Sequence, residues 1–115
     1  MKLIKKSETS RHENSKDCIV YEYPLGNPDI NLAVIDITAR YPDKGYAMNE
    51  ECTEVAYVIS GEGSVTFKDG KIVSLTSGDA ILLDKGEQYY WDGKLSVCVP
   101  CTPAWYPEQH KIIEE

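Results

Sequence analysis

The stretch Glu54-Val55-Ala56-Tyr57-Val58-Ile59-Ser60-Gly61-Glu62-Gly63 decides the fold. Residues 54–60 are the most apolar run of the chain, and their valine, isoleucine and tyrosine suit a half-buried pleated strand. The pair of glycines predicts a corner after them, because glycine alone tolerates positive φ without steric cost. Beyond that corner, residues 64–67 and 72–75 flank Asp69-Gly70. Asp-Gly is the strongest short hairpin signal, since both central residues of a type I′ turn need positive φ.

The same alternation continues in both directions. Residues 80–83 form a further apolar run ending at Asp84-Lys85-Gly86, and residues 88–91 and 95–99 are separated by Asp92-Gly93. Upstream, residues 18–23 and 31–38 are strand-like and enclose a turn cluster from Pro24 to Asp29. Strands and turns at this regular, short spacing indicate an all-β sandwich or barrel. Residues 1–16 are polar and read as a loose lead-in to a single barrel domain over 17–115. Pro107-Glu108-Gln109-His110 suits one helical turn, with Pro at a first-turn position.

Two segments resemble the paired motifs of the cupin superfamily. The first motif runs His, any residue, His, three or four residues, Glu, six residues, Gly. Glu54 and Gly61 keep its last two positions. The second runs Gly, five residues, Pro, any residue, Gly, two residues, His, three residues, Asn. Gly78, Asp84, Gly86, Tyr89 and Gly93 occupy those slots. The resemblance implies a double-stranded β-helix, or jelly-roll, barrel. In the family, three histidines and one glutamate on the inner wall hold a metal. Here the first-motif histidine slots fall on Met48 and Glu50, or on Ala47 and Asn49 with the longer spacing, and the second-motif histidine is Tyr89. The chain has 2 histidines, His12 and His110, and neither lies in a motif.

Strand alternation from Glu54 points Cys52, Glu50 and Met48 to the same side, with Tyr89 and Trp91 facing that space. Met48, Glu50, Cys52, Glu54, Tyr89 and Trp91 are therefore the candidate ligand-binding set, and Glu54 is the best catalytic candidate. An apolar, aromatic wall with few convergent polar groups suits a small organic ligand of sugar or carboxylic-acid type. No cofactor is expected. The alternative is a metal enzyme of isomerase or dioxygenase type. Its rebuilt site would use Glu50, Cys52 and Glu54 with Tyr89 or His110, and would take zinc or iron. A third reading is a structural or regulatory homodimer. His110 reads as a surface residue, which leaves no pocket histidine as a base. The Cys98-Val99-Pro100-Cys101 pair sits on a predicted strand, outside the helical setting of redox pairs, and reads as buried inert thiols.

The 115 residues fit one domain, with 42% hydrophobic and 27% charged residues. A formal charge of -7 repels phosphate backbones, so nucleic acid is not an expected partner. No apolar run approaches the roughly 20 residues a bilayer requires, and Met1 to Ser15 has no secretory apolar core. A cytoplasmic location with reduced cysteines is expected, with a homodimer as the expected assembly.

Overall fold

The computed structural model describes residues 1–114. Nine strands dominate these residues: β1 (Ser10–Ser15), β2 (Cys18–Tyr23), β3 (Asn31–Ile37), β4 (Tyr46–Asn49), β5 (Thr53–Phe67), β6 (Ile72–Thr76), β7 (Ala80–Leu83), β8 (Gln88–Thr102) and β9 (His110–Ile113). Single 3-10 turns occupy Lys6–Glu8 and Pro107–Gln109. All named pairings are antiparallel.

β8 is the axis of the barrel. It pairs with β3, β4 and β5, so most of the sheet is anchored on one 15-residue strand. β5 is equally long, pairing with β7 through its first half and with β6 through its second. This corrects two expected turns. Gly61-Glu62-Gly63 and Asp92-Gly93 lie inside continuous strands and do not end them. The physical reason is a bend that keeps its ladder. Gly61 and Gly93 take φ of 86° and 113°, and Gly63 faces Gly93 across the β5–β8 pair. With no Cβ on either side, the two strands can bend together while staying paired within the one nine-stranded sheet.

Side-chain alternation then separates two faces. Val58, Val65 and Val97 are fully buried, and Ile37, Leu83 and Leu95 join them in the core. Val55, Tyr57 and Ile59 of β5 point outward with Leu82 of β7 and stay exposed. Two further strands, β1 and β9, were not expected, and the strand expected through Met48 to Glu54 is broken into β4 and β5. Residues 10–15, within the polar lead-in, form β1 on the edge of β2. Tyr46–Asn49 forms β4, and His110–Ile113 returns as β9 to pair with it, placing Asn49 opposite His110.

Candidate functional site

The inner face encloses a cavity of about 600 Å³. Its walls are apolar: Val20 from β2, Ile35 and Ile37 from β3, and Val97 and Val99 from β8 line it. Glu54, Tyr89 and Trp91 also line it. Arg11 and His12 of β1 contribute to the lining, as do Trp105 and Pro107 of the C-terminal loop.

The other three candidates lie elsewhere. β4 ends at Asn49 and β5 begins at Thr53, so the bend between them resets the alternation. Ala47 and Asn49 are buried on the Glu54 side, which selects the longer motif spacing. Met48 is on the opposite face of β4 from Ala47. Glu50 is exposed, with its carboxylate 3.8 Å from Lys111 Nζ. Cys52 is fully buried, its thiol directed at the Pro103 carbonyl 3.4 Å away. None of Met48, Glu50 and Cys52 lines the cavity.

Around Glu54 the polar groups form one connected cluster. Asn49 Nδ2 donates to Glu54 Oε1 at 2.9 Å, and the Tyr89 hydroxyl donates to the same oxygen at 3.5 Å. Asn49 Oδ1 accepts from Gln109 Nε2 at 2.9 Å and lies 3.0 Å from His110 Nδ1. His110 Nε2 is 3.3 Å from the Tyr41 hydroxyl. His110 lines the cavity and its ring leans on Trp105, with ring centroids 5.7 Å apart. The expectation of a surface His110 is therefore corrected. Pro107–Gln109 turns the tail back, and β9 carries the imidazole to the wall.

Burial sets the charges of this cluster. Removal from water raises the Glu54 pKa, while hydrogen bonds from Asn49 and Tyr89 pull the other way. Burial also lowers His110, favouring a neutral ring. Tyr89 is pushed well above the usual phenol range by burial first and the neighbouring Glu54 charge second, so it stays a donor. Burial likewise raises Tyr41. A carboxyl with raised proton affinity thus sits in one cluster with a neutral imidazole and two protonated phenols.

The family's metal does not fit these residues. Ala47 offers no donor atom. Asn49 aims its N–H group at Glu54 and commits its oxygen to Gln109 and His110. Tyr89 holds its proton. Glu50 and Cys52, the ligands of a rebuilt site, are turned away. Among the described residues, no group of three or more His, Cys, Asp or Glu side chains comes together to hold an ion.

The EutQ-like cupin domain is the family whose pattern matches, over residues 44–99. The barrel agrees with it. The fold is that of the cupin superfamily. The cupin's double-stranded β-helix superposes on Pac13, a nucleoside dehydratase, with a TM-score of 0.87 at 15% identity, covering 99% of this chain and 92% of that one. A Streptomyces PAC13 variant solved with uridine gives the same score and identity, with 99% and 91% covered. An RmlC-like cupin from Shewanella frigidimarina gives 0.68 at 20% identity, with 85% and 86% covered. No curated protein matches the cupin by sequence.

Its cysteines are free. Cys98 and Cys101 point to opposite faces of β8, with Cys101 in the cavity wall and Cys98 half-buried on the outside. Burial pushes Cys18 up to about 12 and raises Cys52 and Cys101 as well. Since the thiolate is the nucleophile, iodoacetamide at neutral pH is expected to label Cys98 in the native protein. All 4 cysteines should label in denaturant. Peptide mass spectrometry reads this, and prior labelling of Cys52 or Cys101 would contradict it.

Proposed function

We propose that this cupin binds a neutral, polyhydroxylated small molecule of sugar or nucleoside type and moves protons on it with Glu54 and His110, without a bound metal. The observation that carries the reading is the Glu54–Asn49–His110 cluster at the wall of an otherwise apolar cavity. The charge balance argues against carboxylate ligands. Arg11 and His12 are exposed in β1, and Arg11 lies 4.0 Å from Glu13. Among the described residues, the buried end carries Glu54 and no lysine or arginine. An anion would lose its hydration there with no cation to replace it.

Elimination of water is the reaction class that uses both groups. His110 Nε2 takes a proton from carbon, the electron pair forms the double bond, and the C–O bond opposite breaks. Glu54, holding its proton through burial, gives it to the leaving hydroxyl, which departs as water. The imidazolium and carboxylate then exchange protons with solvent to reset. The likeness to a nucleoside dehydratase of the same fold supports this choice of reaction.

Thermal melts test the ligand class. Uridine, methyl glucoside and succinate serve as probes. A ligand at about 100 times its Kd adds about 2.7 kcal/mol of stability to the state that binds it. Uridine or the glucoside should raise the Tm and succinate should not. Stabilisation by succinate alone would sink the proposal.

A further inference from the structure

The hydrogen bonds around Gln109 have a direction that cannot be reversed locally. Gln109 is 2% exposed. Its Oε1 lies 3.2 Å from the backbone nitrogen of Glu51 and 3.1 Å from that of Cys52. A backbone N–H can only donate, so that side-chain atom is the oxygen. The other end of the amide is then the NH2 group, and it donates to Asn49 across 2.9 Å. Asn49 must present its oxygen there, which turns its own NH2 toward the Glu54 carboxyl. The same Asn49 oxygen lies 3.0 Å from His110 Nδ1. An oxygen with no proton faces that nitrogen, so Nδ1 must carry one.

We infer that Gln109, oriented by the Glu51 and Cys52 backbone amides, fixes His110 as the Nδ1–H tautomer and leaves Nε2 as the basic nitrogen beside Tyr41. Gln109 is a positioning residue: it acts on His110 through Asn49. The arrangement explains why a bend between β4 and β5 matters to a side chain on β9. Two N–H groups left unpaired by that bend set the polarity of the whole cluster. The Tyr41 hydroxyl completes it by donating to Nε2 across 3.3 Å. A substrate proton taken by His110 must therefore enter at Nε2, displacing the Tyr41 hydrogen bond. The placement of the proton is independent of the ligand class proposed above, although its catalytic consequence rests on that reading.

The test is nitrogen-15 NMR of the full chain labelled at histidine, without ligand and at neutral pH. A protonated ring nitrogen and a bare one resonate far apart, and His110→Gln identifies which signals belong to His110 rather than His12. The wild type should show a protonated Nδ1 and a bare Nε2. In Gln109→Glu the side chain, once ionised, can only accept. It keeps the two backbone amides but forces Asn49 to turn over, so Nδ1 then faces an N–H group. His110 should switch to the Nε2–H form. If that variant does not fold, Gln109→Met is read instead and should give a mixture of both tautomers. A wild-type His110 protonated at Nε2 overturns the inference. So does an unchanged Nδ1–H ring in folded Gln109→Met, or in folded Gln109→Glu at a pH where the new carboxyl is ionised. Because no ligand is present, these outcomes stand apart from failure of the ligand assignment.

Discussion

Glu54→Gln is expected to make the protein more stable at neutral pH while removing its proton transfer. The stability half follows from burial. Desolvation raises the folded-state pKa of Glu54 above its ordinary value of 4.5. The native protein then binds a proton that the unfolded chain has released. Stability falls with rising pH wherever the native state holds more protons. The contribution of Glu54 is therefore fully present below the unfolded pKa. It is lost progressively as pH rises through the folded value. Every tenfold gain in proton affinity on folding corresponds to about 1.4 kcal/mol. Glutamine is neutral throughout and keeps an oxygen for the Asn49 and Tyr89 donors. The urea stability curves of wild type and variant should coincide below the unfolded pKa and separate above it, with the variant higher. A wild type that gains stability relative to the variant over that range would show Glu54 to be a stabilised carboxylate instead. The functional half is a loss of about 10²- to 10⁴-fold in turnover, the usual worth of one positioned acid or base. It is read with whichever neutral probe raises the Tm. The two halves belong together: a carboxyl kept out of water is costly to the fold and useful as an acid.

The parts of this fold that were legible in sequence are those decided by neighbouring residues. β2 and β7 have the bounds their apolar runs gave them. Glu54 reads as an inner-wall residue because it sits in a motif with fixed spacing to Gly61. Other parts depended on partners far along the chain. Residues 10–15 are mostly exposed, show no apolar alternation, and become a strand through their ladder to β2. His110 and Gln109 look like tail residues until β9 pairs with β4, bringing them to Asn49 from 60 positions away and more. The pocket positions of Met48, Glu50 and Cys52 failed for a local reason. Period-two reasoning assumes an unbroken strand, and the residues between β4 and β5 leave the ladder. The signal that could have found the correct set is the longer motif spacing, which puts Ala47 and Asn49 in the histidine slots.

Gly93→Ala is expected to destabilise the protein by about 2–5 kcal/mol, and the comparison with Gly70→Ala separates the causes. Both glycines have positive φ, 113° and 95° respectively. Both alanine variants therefore carry backbone strain, of order 1–2 kcal/mol for a non-glycine residue in the left-handed region. Their surroundings differ. A Cβ at Gly70 would meet nothing within 4 Å, because the β5–β6 hairpin turn projects into solvent. A Cβ at Gly93 would fall 2.5 Å from Gly63 Cα and 2.7 Å from the Glu62 carbonyl oxygen. Those are backbone atoms of the facing strand and cannot swing aside. Overpacking of this kind adds about 1–3 kcal/mol. Gly70→Ala should stop at the strain alone, and urea melts of the two variants give the difference directly. Equal losses would mean that the β5–β8 pair can widen at the Gly63–Gly93 crossing without cost. A much larger loss at Gly93 would show that the close approach is needed for both strands to bend together. That bend carries Glu54 at one end of β5 and Tyr89 at one end of β8 into the same cavity. A variant that folds with the crossing widened should also weaken the Tyr89–Glu54 contact, because the common bend of β5 and β8 helps bring the two residues together.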